Sequence, residues 1–153
     1  MNTVRDTDRG ASGLLARLRA QKGVRVRAGI LDDAPKKGED GDGPMMLVEV
    51  AVLHEFGGEN VPQRSFVRAT VDENLEEIRD TQHALAVQVF RGKVDESAAA
   101  NRLGAKVASM MQGRISAGID PPNAPATIEA KGSSKPLVNT GQLKSGITWR
   151  VED

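Results

Sequence analysis

The chain has 153 residues, 21 Lys plus Arg against 21 Asp plus Glu, no Cys and two His, so its formal net charge is zero. The length suits one hydrophobic core. Lack of Cys excludes disulfides, thiolate zinc sites and cysteine nucleophiles, and two His leave little for metal or general-base chemistry. Balanced charge counts against a dedicated nucleic-acid binder, and the few aromatics, Phe56, Phe66, Phe90 and Trp149, give few surfaces for stacking on bases or sugars.

Near the N-terminus, Leu14, Leu15 and Leu18 give one apolar side to residues 12–21, with Ser12 placed to cap and Gly23 placed to stop a helix. Val24, Val26, Ala28 and Ile30 then alternate with Arg25, Arg27 and Gly29, the period of a strand with one buried face. Residues 32–44 hold five acids, two lysines, three glycines and two prolines, which predicts a flexible loop. Residues 45–53 fit two periods: Val48, Val50 and Val52 alternate like a strand, while Met46, Val50 and Leu53 share a helical side.

Val67, Val71, Leu75, Ile78, Leu85 and Val89 recur at helical spacing, which predicts one long helix over residues 66–91 with Asp72, Glu73, Glu76, Glu77 and Asp80 on its other side. A break is expected near Gly92. Ala99, Leu103, Val107, Met110, Met111 and Ile115 mark a further helix ending near Gly118. Four prolines in residues 120–136 predict a second flexible loop. Asn139 or Thr140 is then placed to cap a short helix through Leu143, and Ile147, Trp149 and Val151 alternate as a last strand.

No run approaches ~18 apolar residues and residues 1–10 are polar, so a soluble protein made in the cytoplasm, without membrane contact, is expected. His54-Glu55 falls short of the helical zinc motif, because position 58 is Gly58 where the second His belongs. His83 has no ligand partner at suitable spacing and reads as a surface or interface residue. Ser133, Ser134 and Ser145 lack the strand-turn-helix setting of a nucleophile elbow. Asp40-Gly41-Asp42-Gly43 is a fragment of a calcium loop without its bidentate Glu, so solvation of the loop explains those acids better. Arg17, Arg19, Lys22, Arg25 and Arg27 form a basic stretch without an intervening acid. Two readings stay open for it: a solvated face, or a contact with DNA phosphates or an acidic protein surface.

Two segments together resemble a family signature. Val52-Leu53-His54-Glu55-Phe56-Gly57, followed by Val61-Pro62-Gln63-Arg64-Ser65-Phe66-Val67, is similar to the "HEFG … PxRxF" core of the tail-completion or head-tail joining proteins of long-tailed bacteriophages. That group includes the lambda-type minor tail protein Z and, more distantly, the virion-morphogenesis proteins of Mu-like phages. Pro136-Leu137-Val138-Asn139-Thr140-Gly141-Gln142-Leu143-Lys144-Ser145-Gly146-Ile147-Thr148 is similar to the "PLxDTGxLxxSI" ending of the same group. Ser65 stands where Pro is usual and Asn139 where Asp is usual, and the loop between the two segments matches only loosely.

The resemblance implies an α+β fold, a small mainly antiparallel sheet on several helices, in one domain over residues 1–153, with residues 45–56 helical. It implies a structural protein of the virion neck or tail, without catalysis or cofactor. The expected assembly is an oligomeric ring, a hexamer by tail symmetry, next to stopper or adaptor, tail terminator and tail tube proteins; weak contact with genomic DNA in the lumen is the role the basic stretch Arg17 to Arg27 leaves open. A tail terminator or stopper of the same neck, or a DNA-contacting ring protein, is the alternative. Within the signature, Gly57 can end a helix, Pro62 and Arg64 can orient the next one, and Phe66 can anchor it in the core. Gly141 allows a tight turn and Leu143 with Ile147 can close the core. The loops 32–44 and 120–136 are the segments expected to become ordered on docking.

Overall fold

The computed structural model describes residues 10–20, 23–31, 46–123, 129 and 141–152, without the side chains of Arg17 and Leu18. In chain order these form helix α1 (Ala11–Ala20), strand β1 (Arg25–Ile30), helices α2 (Leu47–Phe56), α3 (Arg68–Glu73), α4 (Leu75–Phe90), α5 (Glu96–Ala117) and α6 (Gln142–Ser145), and strand β2 (Ile147–Glu152). The class is α+β. The two strands pair antiparallel, with Ala28 opposite Trp149 and Ile30 opposite Ile147 on one face, and Arg25 opposite Glu152 and Arg27 opposite Arg150 on the other.

The 22-residue α5, about 33 Å long at ~1.5 Å per residue, is the element on which the rest is laid. Its Asp95 Oδ1 accepts a hydrogen bond from the Ala98 N–H at 2.7 Å, which caps the helix where Gly92 and the turn after α4 end the preceding one. The buried side of α5 is small at its first half, Ala99, Ala100, Gly104 and Ala108, and larger at its second, Met111 and Ile115. That gradient places the core at the C-terminal end of α5. There Ala108, Met111, Ile115 and Ile119 meet Leu47 and Ala51 of α2, Phe66, Leu143 of α6 and Ile147 of β2, with Ala28, Ile30, Val67, Val71 and Val107 packed around them.

The small residues of the first half let the sheet approach α5 closely. A Cβ on Gly104 would lie 2.5 Å from Trp149 Cδ1 and 2.7 Å from Cγ, so the indole occupies the space that any other residue would fill. Trp149 Nε1 donates to Asn101 Oδ1 at 3.1 Å, which fixes the ring along the helix. The indole also keeps an exposed edge.

Several expectations change on contact with tertiary structure. The long helix predicted over residues 66–91 is two helices, broken at Asn74, whose φ and ψ of −115° and 19° leave the helical region. The Asn74 side-chain amide donates to the Thr70 carbonyl at 2.8 Å, competing with the next turn of the ladder. Leu75, read on the apolar stripe, is consequently exposed, and the helix does not begin before Arg68. Ser12 lies inside α1 rather than before it. Gly141, at φ 73°, takes the position before α6 that Asn139 or Thr140 was expected to fill. Of residues 45–53, ambiguous by period, Leu47 to Leu53 are helical and Met46 stands at the cap, while Met45 lies outside the described residues.

The loop at 32–44 and residues 124–136, apart from Glu129, lie outside the described residues, as do Asn139 and Thr140. Among the described residues, no helix is long and apolar enough to cross a membrane.

Candidate functional site

The signature segment folds back on itself. After Phe56, Gly57 takes φ 78°, and a Cβ there would come 3.1 Å from the Gln63 backbone nitrogen, so both the dihedral and the close approach require glycine. Gly58 and Val61 then bond each other's backbone, Gly58 N–H to Val61 O at 2.8 Å and Val61 N–H to Gly58 O at 3.2 Å. Pro62 and Gln63 are exposed, and Gln63 Nε2 donates to the Glu55 carbonyl at 3.1 Å. The reversal lays residues 64–68 beside the last turn of α2, with Arg64 N–H donating to His54 O at 2.7 Å.

Glu55 is the centre of this fold-back. The residue is 7% exposed, and its carboxylate accepts four hydrogen bonds: Oε2 from the N–H groups of Phe66 and Val67, both at 2.9 Å, and Oε1 from Ser65 Oγ at 2.6 Å and Arg68 N–H at 3.0 Å. Ser65 Oγ in turn accepts from Ala69 N–H at 3.1 Å. The first turn of a helix leaves its N–H groups without intrahelical partners, and its positive end favours an anion. Val67, at the cap position of α3, supplies no side-chain bond. A carboxylate from a different helix therefore does the capping, with the Ser65 hydroxyl beside it. Burial raises the Glu55 pKa, but the bonds from Ser65 and then from the N–H groups of Val67, Arg68 and Phe66 outweigh it, so the group titrates below its ordinary range and stays ionised.

Two arginines lock the same region to α5 and the segment after it. Arg64, 6% exposed, donates from Nε to Pro121 O at 2.7 Å and from a terminal nitrogen to Pro122 O at 3.1 Å. Burial lowers its pKa, yet a guanidinium remains a cation in any protein setting. Arg114 of α5 donates to Ser65 O at 3.1 Å and pairs with Glu73 at the other end of α3. Residues 120–123, expected to begin a flexible loop, are thus pinned by Arg64, and Asn123 is buried. Phe66 is fully buried and Thr70 Oγ1 bonds back to its carbonyl at 2.5 Å.

The other residues singled out from sequence fall in different places. Leu143 and Ile147 are buried in the same core as Phe66, so both halves of the signature meet there. Phe56 points outward, 64% exposed, with the Arg68 guanidinium 5.8 Å from its ring centroid. His83 is exposed on α4, and no cluster of three His, Asp or Glu suited to a metal occurs among the described residues. Arg25 and Arg27 are exposed on the outer face of the sheet, where Arg27 Nε lies 3.2 Å from Glu152 Oε2, and Arg19 is exposed on α1. The Arg17 side chain and Lys22 lie outside the described residues. The described side chains of the basic stretch are therefore split, Arg19 on a helix and Arg25 and Arg27 on the ribbon.

The roles of Glu55, Ser65 and Arg114 were missed by sequence reasoning, which took Glu55 only as part of a failed zinc motif and of the family signature, and Ser65 as a departure from the family pattern. The signal that was present is an acid ten residues before a serine at a helix start, which is weak in one sequence. Comparison with protein-family models, curated proteins and solved structures gave no match.

Proposed function

We propose that the chain is a structural subunit of a bacteriophage neck, one that completes the tail and joins it to the head connector as part of a ring. The observation that carries this reading is the meeting of the two signature segments. Glu55, Arg64 and Phe66 come from the first, Leu143 and Ile147 from the second, and Phe66, Leu143 and Ile147 share one core across about eighty residues of chain. Here Glu55, Arg64 and Phe66 hold the fold-back together, which suits a protein whose work is to keep a rigid shape between neighbours.

The test is electron microscopy of lysates from a phage whose copy of this gene is interrupted. Separate DNA-filled heads and finished-length tails are expected. Intact, full particles without infectivity would overturn the reading. A tail terminator or stopper of the same neck differs in neighbours and predicts tails of wrong length or leaking heads in the same images. A DNA-contacting ring protein draws on one specific feature, the side-by-side Arg25, Arg27 and Arg150 on the outer face of the sheet, and it predicts a steep fall of DNA affinity with salt.

A further inference from the structure

Helix α2 is apolar almost all the way round, with seven of its ten residues in LVEVAVLHEF hydrophobic. A helix of that kind is ordinarily surrounded by protein. One side, Leu47, Ala51 and Glu55, is buried at i, i+4, i+8 spacing. The adjoining stripe at the same spacing is open at Val52, 51% exposed, and Phe56, 64% exposed, with Val48 half-buried. Together with Leu53 it lines a shallow concavity. Arg68 shields one side of the Phe56 ring and leaves the rest open.

The same chain carries a second apolar helical surface of this kind. All described side chains of α1 are exposed, Leu14 at 42% and Leu15 at 50% among them. The two surfaces differ in charge. Residues 10–31 contain five Lys or Arg and no acid, whereas residues 46–60 contain Glu49, Glu55 and Glu59 and no Lys or Arg. Glu49 and Glu59 are exposed at opposite ends of the α2 stripe, and Arg19 is exposed one turn beyond Leu15. Exposed Glu49 and Glu59 by the α2 stripe can pair with the exposed Arg19 beside Leu15, whereas two α1 surfaces facing each other would bring like charges together.

We propose that α1 of one copy of this chain docks on the Val48, Val52 and Phe56 face of α2 in a second copy. The patches are different, so the contact is head to tail, and its repetition gives a ring when the rotation closes. The inference rests on the reading of the protein as a ring subunit and names the surfaces that join neighbours. Each helix is about 15 Å long. One such junction buries less than the ~1,200 Å² of a stable complex. Dilute subunits are therefore separate, and closure of the ring supplies the stability.

The chain has no native cysteine, which makes covalent trapping clean. A double variant, Leu15→Cys with Val52→Cys, is oxidised at high protein concentration next to each single variant, with sedimentation of the unmodified chain in parallel and circular dichroism to check folding. A ladder of multimers from the double variant, and nothing beyond dimers from either single one, is the expected result. Adding Val52→Asp to a Leu15→Cys, Phe56→Cys chain should lower the ladder by about tenfold or more. Unmodified chains that associate while the double variant gives no ladder would place the junction elsewhere, overturning this inference and leaving the ring reading intact. Monomers at every concentration, with Val52→Asp lowering the melting temperature, would mean that the chain's own residues cover α2, which also overturns it. Failure of the neck reading itself shows separately, in the particle images.

Discussion

The Glu55 carboxylate and the Ser65 hydroxyl, 2.6 Å apart, together take up the N–H groups of residues 66, 67, 68 and 69. The start of α3 is thus held by the end of α2. Phe66 lies inside this turn, so the same bonds that cap the helix aim the ring into the core.

Replacing Glu55 by Gln keeps the shape and changes the chemistry. One oxygen becomes an NH₂ group that faces donors, so at least two N–H or O–H groups lose an acceptor, at a cost of about 2 kcal/mol. Denaturation at neutral pH should show that loss. The pH dependence is the sharper check. The folded-state pKa of Glu55 lies below its ordinary value of 4.5, so its contribution to stability is complete above that value and is lost as pH falls through the folded-state pKa. The native chain should therefore lose stability on acidification below about pH 4.5, and Glu55→Gln should lose less over that window. Parallel slopes for the two proteins would contradict the assigned hydrogen bonds.

Ser65→Ala removes a donor to Glu55 and an acceptor for Ala69 N–H, and should cost about 1–2 kcal/mol, the range for losing a helix cap. Because the hydroxyl and the carboxylate act on one turn, the double variant with Glu55→Gln should be less destabilised than the sum, with a coupling of about 0.5–3 kcal/mol. Additive losses in denaturant titrations would mean that the two groups act apart.

The elements that were legible in the sequence are those set by local period. Val24 to Ile30 alternates and forms β1, Ile147 to Val151 alternates and forms β2, and the stripe from Ala99 to Ile115 forms α5. The break at Asn74 was not legible, because apolar spacing runs across it unchanged and the signal is an Asn side chain turning back on Thr70. The site was less legible still. Three of the four donors to Glu55 are backbone N–H groups, which carry no residue identity, and the partners of Arg64 are carbonyls 57 and 58 residues along the chain. The positions Arg64 and Phe66 were found only through family likeness, and the physical reason for each needed the tertiary structure.

Arg64 offers a prediction about the segment after α5. Lys cannot span both Pro121 O and Pro122 O from one planar group, so Arg64→Lys should cost about 1–3 kcal/mol and leave a carbonyl without its partner. The loss should be local as well as global. Hydrogen exchange at the amides of Asp120 and Asn123 should quicken in the variant more than exchange in the middle of α5. Unchanged protection there would show that Arg64 does not hold this segment.

The contact of Gly104 with Trp149 makes a prediction of opposite sign in two backgrounds. Glycine inside a helix costs about 0.5–1 kcal/mol relative to alanine, so Gly104→Ala would stabilise α5 if space allowed. Space is what the structure denies, since the new methyl group would stand 2.5 Å from Trp149 Cδ1 and 3.0 Å from its Cβ. Yielding means swinging the indole outward, which breaks its bond to Asn101 and lifts β2 from the helix. Overpacking of this kind costs about 1–3 kcal/mol, enough to exceed the propensity gain. Trp149 is the chain's only tryptophan, so its emission reports the displacement directly, and a shift to longer wavelength should accompany the lower stability. In a Trp149→Gly chain all three obstructing atoms are gone, and Gly104→Ala should then raise stability by the propensity difference. Stabilisation in both backgrounds would show that the indole does not rest on Gly104.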